Sequence, residues 1–193
     1  MHRYWLGSGP VTSPPVRIRP LRGRAFFAIL ALALAGLHGA ATAVLPLTGS
    51  GFGFAGWVSG MVLPATAVLF ISWLFDARTN LDGVEPPLRW HPIWCYGAWL
   101  IPVWGLVIWL QVCNEIDSAT QRLAGGPARP GLFAVWATLW TPLLIAWLLG
   151  GGVVTAILQV VAAVPAIMLV LRITAQQEAA AALRPLRLGG TAR

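Results

Sequence analysis

The sequence predicts an all-α fold, a polytopic membrane bundle of four transmembrane helices plus one Pro-broken segment that re-enters the bilayer or lies in its interface. Three observations predict it. The 193 residues are 58% hydrophobic and only 10% charged, where soluble domains carry about 25% charged residues. The apolar residues fall in charge-free blocks of about twenty, long enough to cross a hydrocarbon layer of about 30 Å. All thirteen basic residues are Arg, and they flank those blocks instead of forming a basic surface interleaved with aromatics. The net charge of +7 is therefore a topology signal and not a nucleic-acid footprint. An Arg-only, Ala/Gly/Pro-rich composition also fits a GC-rich bacterial coding bias, which places the chain in a bacterial inner membrane.

Residues 1–24 hold four Pro and five Arg and little apolar content, which predicts a disordered cytoplasmic tail. A single membrane domain follows over residues 25–178, with a C-terminal cytoplasmic tail over 179–193. The first span, 25–45, starts directly after the five Arg, and positive-inside bias holds the N-terminus in the cytoplasm. The same pattern could serve as a signal peptide with Ala41, Thr42 and Ala43 as cleavage site, although the long leader argues against it. Ala31, Ala35 and Gly39 recur every fourth residue in this span and predict a smooth ridge for another helix. A Gly-rich, uncharged turn leads to span 57–75, which Pro64 kinks. Span 131–149, the Gly150 to Gly152 turn and span 153–171 complete the set, and the Ala-rich run after Arg172 extends the last helix towards Pro185.

Residues 92–113, PIWCYGAWLIPVWGLVIWLQVC, decide the topology. Read as a fifth span, they would leave six of the thirteen Arg outside. Read as a segment that enters and leaves on one side, they put every charge and both termini in the cytoplasm. Pro102 divides the stretch into halves of about 15 Å each as helix, roughly half a bilayer. Trp94, Trp99, Trp104 and Trp109 suit the interface. Cys95 and Cys113 would lie about 27 Å apart on one continuous helix, too far for a disulfide, and they read as buried free thiols.

The run Trp73 to Leu81 (WLFDARTNL), then His91, Pro92 and Trp94, the stretch Gly97 to Val103 (GAWLIPV), and Glu115 with Ile116 resemble a bacterial membrane family, domain of unknown function 4328. The ending Arg172, Ile173, Thr174 with Gln176 or Gln177 is similar too, so the resemblance covers about residues 25–180. The chain departs from the family pattern at Gly105 to Trp109 (GLVIW) and at Asp117, which follows Glu-Ile where the family has Trp. The resemblance implies a multi-pass membrane protein and no specific chemistry.

Two groups of polar residues are candidate sites. His38, Thr66, Thr141 and Gln159 fall at similar depth on four spans, where polar side chains either line a small site or bond helices together. Arg78, Asn80, Glu115, Asp117 and Arg172 surround the mouth of the 92–113 segment. Ion pairs of Arg78 or Arg172 with Glu115 are expected to fix its ends. Glu115 and Asp117, two apart, project from different sides of a helix, so they do not form an acid–base pair. No catalytic triad order, zinc motif or phosphate loop occurs, and no cofactor, metal or catalytic residue is expected. The expected role is that of a scaffold or accessory subunit acting on the lipid bilayer with a second copy or another membrane protein. A small transporter or channel using the broken segment is the alternative, ahead of a lipid enzyme using Glu115, Asp117 or His91.

Overall fold

The computed structural model describes residues 18–44, 52–82, 84, 86–98, 101, 104–126, 131–148 and 152–189, with side chains described at all of these except 52–60, 104, 106, 147–148 and 184–189. Six helices follow in order: α1 (Arg22–Val44), α2 (Phe52–Thr79), α3 (Trp94–Gly97), α4 (Trp104–Leu123), α5 (Gly131–Leu148) and α6 (Val153–Gly189), with no strand among the described residues. Three helical stretches, Arg22–Val44, Met61–Thr79 and Val153–Leu183, are long and apolar enough to cross a membrane, and Gly131–Ala146 is a shorter apolar one.

The packing has the inverted character of a bundle made for lipid. Large apolar side chains face outward: Phe26, Phe27, Leu30, Leu34 and Leu37 on α1, and Val154, Ile157, Val161, Val164, Met168 and Leu171 on α6, all stand exposed. The inward faces are small. Ala28, Ala31, Ala35, Gly36 and Gly39 are buried on α1, and a Cβ at Gly39 would stand 2.9 Å from the Ala156 carbonyl oxygen of α6. A Cβ at Gly36 would likewise come within 3.3 Å of Ala163. The expected Ala31, Ala35, Gly39 ridge is thus the seam on which α6 lies, where small residues bring two backbones into dispersion contact. α6 is the central helix, packed against α1, α5 and α4, while α2 packs on the other flank of α1.

Several boundaries depart from expectation. The N-terminal tail does not extend to residue 24 among the described residues: Leu21 is fully buried, and α1 already begins at Arg22. The reason is a clamp from Asn80, whose carboxamide both accepts from Arg19 N–H (2.7 Å) and donates to Arg19 C=O (3.0 Å). α2 continues through the polar residues to Thr79, since Asp76 and Arg78 gain partners there, and α6 runs past Pro185 to Gly189.

Residues 92–113 are broken, but not symmetrically. Among the described residues, their first half holds the four-residue α3, and α4 starts at Trp104 and continues ten residues beyond Cys113 to Leu123. Pro102, the expected hinge, lies outside the described residues. The tight place is at Gly105, where a Cβ would stand 1.8 Å from the Ala98 carbonyl oxygen. Only glycine lets the first turn of α4 sit against the end of α3. Cys95 and Cys113 are both free and buried in the core that α3 and α4 share with α1, α2, α5 and α6.

Candidate functional site

The five residues expected at the mouth of the broken segment lie at one end of the bundle, in three groups of polar contacts. The first is built on carboxamides. Gln177 is fully buried on α6, and its Nε2 donates to Ala77 C=O on α2 (3.0 Å) and to Thr120 Oγ1 on α4 (3.0 Å). Its Oε1 accepts from Asn80 Nδ2 at 3.1 Å. One side-chain pair thereby joins three helices and the segment before α1. Close by, the fully buried Trp73 donates its indole N–H to Thr174 Oγ1 at 3.1 Å.

The second knot is ionic. Asp117, fully buried, pairs with Arg172 of α6 and accepts from Gln121 Nε2 at 3.0 Å. Burial pushes the Asp117 carboxyl up from its ordinary pKa, opposed by the Arg172 guanidinium and then by the Gln121 bond. Asp76 receives Arg24 at 2.7 Å, and Glu178 pairs with the exposed Arg22, so the basic start of α1 is tied to α2 and α6.

The expected pairing of Glu115 with Arg78 or Arg172 is not what forms. Glu115 instead accepts the backbone N–H groups of Arg89 and of Trp90, the latter at 3.1 Å. Arg78 donates from Nε (3.0 Å) and Nη2 (2.7 Å) to Trp90 C=O and from Nη1 to Asp82 at 2.7 Å. Both side chains hold the Arg89–Trp90 backbone ahead of α3, because a loop entering an apolar bundle has peptide groups that need partners more than the charges need each other. Glu115 and Asp117 point to different neighbours, as their spacing on a helix requires.

Of His38, Thr66, Thr141 and Gln159, the structure brings Thr66 and Gln159 to the wall of one cavity. The Thr66 hydroxyl sits 2.7 Å from Val62 C=O of its own helix and 3.1 Å from Ala31 C=O of α1, Gln159 donates to Ala35 C=O of α1 (2.8 Å), and Thr141 donates to Ala137 C=O within α5 (2.9 Å). Thr66 and Gln159 therefore stitch α2 and α6 to neighbouring turns of α1. Beside them lies a partly open cavity of about 450 Å³ between α2 and α5, with α1 and α6 behind it. Thr66 and Gln159 are on its wall, while His38 and Thr141 are not. Its base is an indole cluster, with Trp109 5.1 Å from Trp136 and Trp136 stacked on Trp140 at 5.8 Å and 20°.

Sequence reasoning missed Gln177, Thr120 and this cavity. A signal for Gln177 existed: it follows Ala166, Val170 and Ile173 at helical spacing, and all four are buried. No group of three or more His, Cys, Asp or Glu able to hold a metal occurs among the described residues.

The helices and their outward apolar faces define an all-helical membrane-embedded protein. No family model, curated protein or solved structure matches the chain.

Proposed function

We propose that the chain is a four-crossing membrane scaffold or accessory subunit that works by associating with a second copy or another membrane protein. In this reading α1, α2, α5 and α6 cross a bacterial inner membrane, both termini are cytoplasmic, and α3 with the start of α4 enters and leaves from the cytoplasmic side. The tie between Glu115 and the Arg89–Trp90 backbone supports the return, since it joins the two ends of residues 92–113. The resemblance to the domain of unknown function 4328 family accords with it.

One observation carries the functional part: at the polar end, the Asn80 and Gln177 carboxamides and the Asp117 carboxylate are bonded to other parts of the same chain, which commits them to holding the helices together. The outer faces of α1 and α6, by contrast, offer apolar surface to the bilayer or to another helix. The channel-like alternative finds less support, because the Thr66 hydroxyl and the Gln159 amide N–H are engaged with backbone carbonyls. Single cysteines at Leu34 and at Val161, in a chain lacking Cys95 and Cys113, should crosslink to a second copy or to a partner in membranes. A monomer that crosslinks to nothing at either face refutes association. A reporter fused to the C-terminus should read cytoplasmic, and an external reading refutes the four-crossing topology.

A further inference from the structure

The cavity between α2 and α5 asks for an occupant. α1 packs along both α6 and α2, and α5 packs along α6, but α2 and α5 share no comparable seam. They face one another across the opening, Ala67 on one side and Leu144 on the other, and meet at Phe70 and Trp136, whose ring centroids are 6.3 Å apart. The opening therefore gives onto the space beside the bundle, which for an embedded protein is bilayer hydrocarbon. This step rests on membrane embedding alone and not on the scaffold reading.

The chemistry of the wall excludes water and ions. Leu32, Pro64, Ala162 and Ala166 are typical of it, and its two longest polar side chains already bond Ala31 and Ala35. Buried water needs two to four polar partners, and apolar cavities lacking them stay dry. A dry 150 Å³ cavity takes one benzene, so three times that volume, the 450 Å³ here, takes about eighteen carbon atoms. That is the size of one fatty acyl chain.

Polar groups border the cleft at both ends. Thr155 is 8% exposed and lines the cavity, and its hydroxyl has no hydrogen-bond partner, nor do the indole N–H groups of Trp136 and Trp140. Thr155 lies near the start of α6, at the end of the bundle opposite the Gln177 knot. The other end of the cavity is the indole cluster of Trp109, Trp136 and Trp140.

We propose that this cleft binds one acyl chain of a bilayer phospholipid, which enters between α2 and α5 and packs against the apolar wall.

The test uses the full chain reconstituted in dioleoyl phosphatidylcholine vesicles, extracted into a bile-salt detergent and weighed intact by native mass spectrometry. Wild type should carry one phospholipid per chain. Filling the cleft from both walls with Ala67→Phe and Leu144→Trp should lower retention at least tenfold. A wild type without lipid, equal retention in the filled variant, or a lipid-free dimer would each overturn the proposal. Should the filled variant not fold, wild type in vesicles containing a diazirine-acyl phosphatidylcholine decides. Labelling at Leu63 and Leu144 several-fold above that at the outward Leu34 and Leu37 supports the site, and equal labelling overturns it.

Discussion

The Glu115 carboxylate accepts the backbone N–H of Trp90 at 3.1 Å across a sequence separation of 25 residues. That bond, with its neighbour at Arg89, closes the mouth of the broken segment. Glu115→Ala leaves two peptide donors facing a lost anion and should cost about 2 kcal/mol, within the range for hydrogen bonds to charged groups. Glu115→Gln keeps one acceptor and should cost less. Thermal unfolding in detergent measures the order, and alkylation of the buried Cys95 should accelerate in step as the mouth loosens.

Asp117 and Arg172 should respond unequally to substitution. Arg172→Met strands a fully buried carboxylate and should cost about 3–5 kcal/mol at neutral pH. Asp117→Asn should cost much less, because the Arg172 side chain is 25% exposed and can turn to water while Asn still meets Gln121. Unfolding free energies of the two single variants check the asymmetry, and equal losses would count against it.

The same pair sets a pH dependence. Burial raises the Asp117 pKa in the folded protein above its unfolded value of about 3.9. The folded chain thus binds this proton more tightly than the unfolded one. The cost of keeping Asp117 ionised is present above the folded pKa and is relieved as pH falls through it towards about 3.9. Wild type should therefore gain stability relative to Asp117→Asn on acidification through that window. A flat difference between the two melting curves would show that the Arg172 pair fully offsets burial.

Gln177→Leu removes the junction of the carboxamide knot, leaving Ala77 C=O, Thr120 Oγ1 and one Asn80 donor without their bonds. A loss of about 3 kcal/mol is expected from buried unsatisfied groups. The double variant with Asn80→Leu should lose less than the sum of the two single changes, a non-additivity a double-mutant cycle measures.

Gly105→Ala and Gly39→Leu test close approach. The first drives a methyl into the Ala98 carbonyl and should open the α3–α4 turn. The second should push α1 off α6 and break the Gln159 bond to Ala35. Protease sensitivity near α3 in the first variant, and a lowered melting temperature with intact helix content in the second, are the expected readouts.

Apolar blocks and the small-residue ridge determined much of this protein without any coordinates. They depend on local composition and on helix period, so the long apolar helices and the α1 ridge could be read directly, and α5 ends within one residue of its expected span. The gathering of Arg78, Asn80, Glu115, Asp117 and Arg172 was also legible, because each lies at the end of an apolar run. Their partners were not. Which acceptor a buried side chain takes depends on the peptide groups that neighbouring elements leave unpaired, and those are set only once α2, α4 and α6 have met. Glu115 therefore serves a backbone and Arg172 serves Asp117. The tertiary structure alone likewise decided that Asn80 and Gln177 lock onto one another 97 residues apart, and that α2 and α5 stand far enough apart to leave a cavity. A gap is a property of how helices pack, and no single helix carries a record of it.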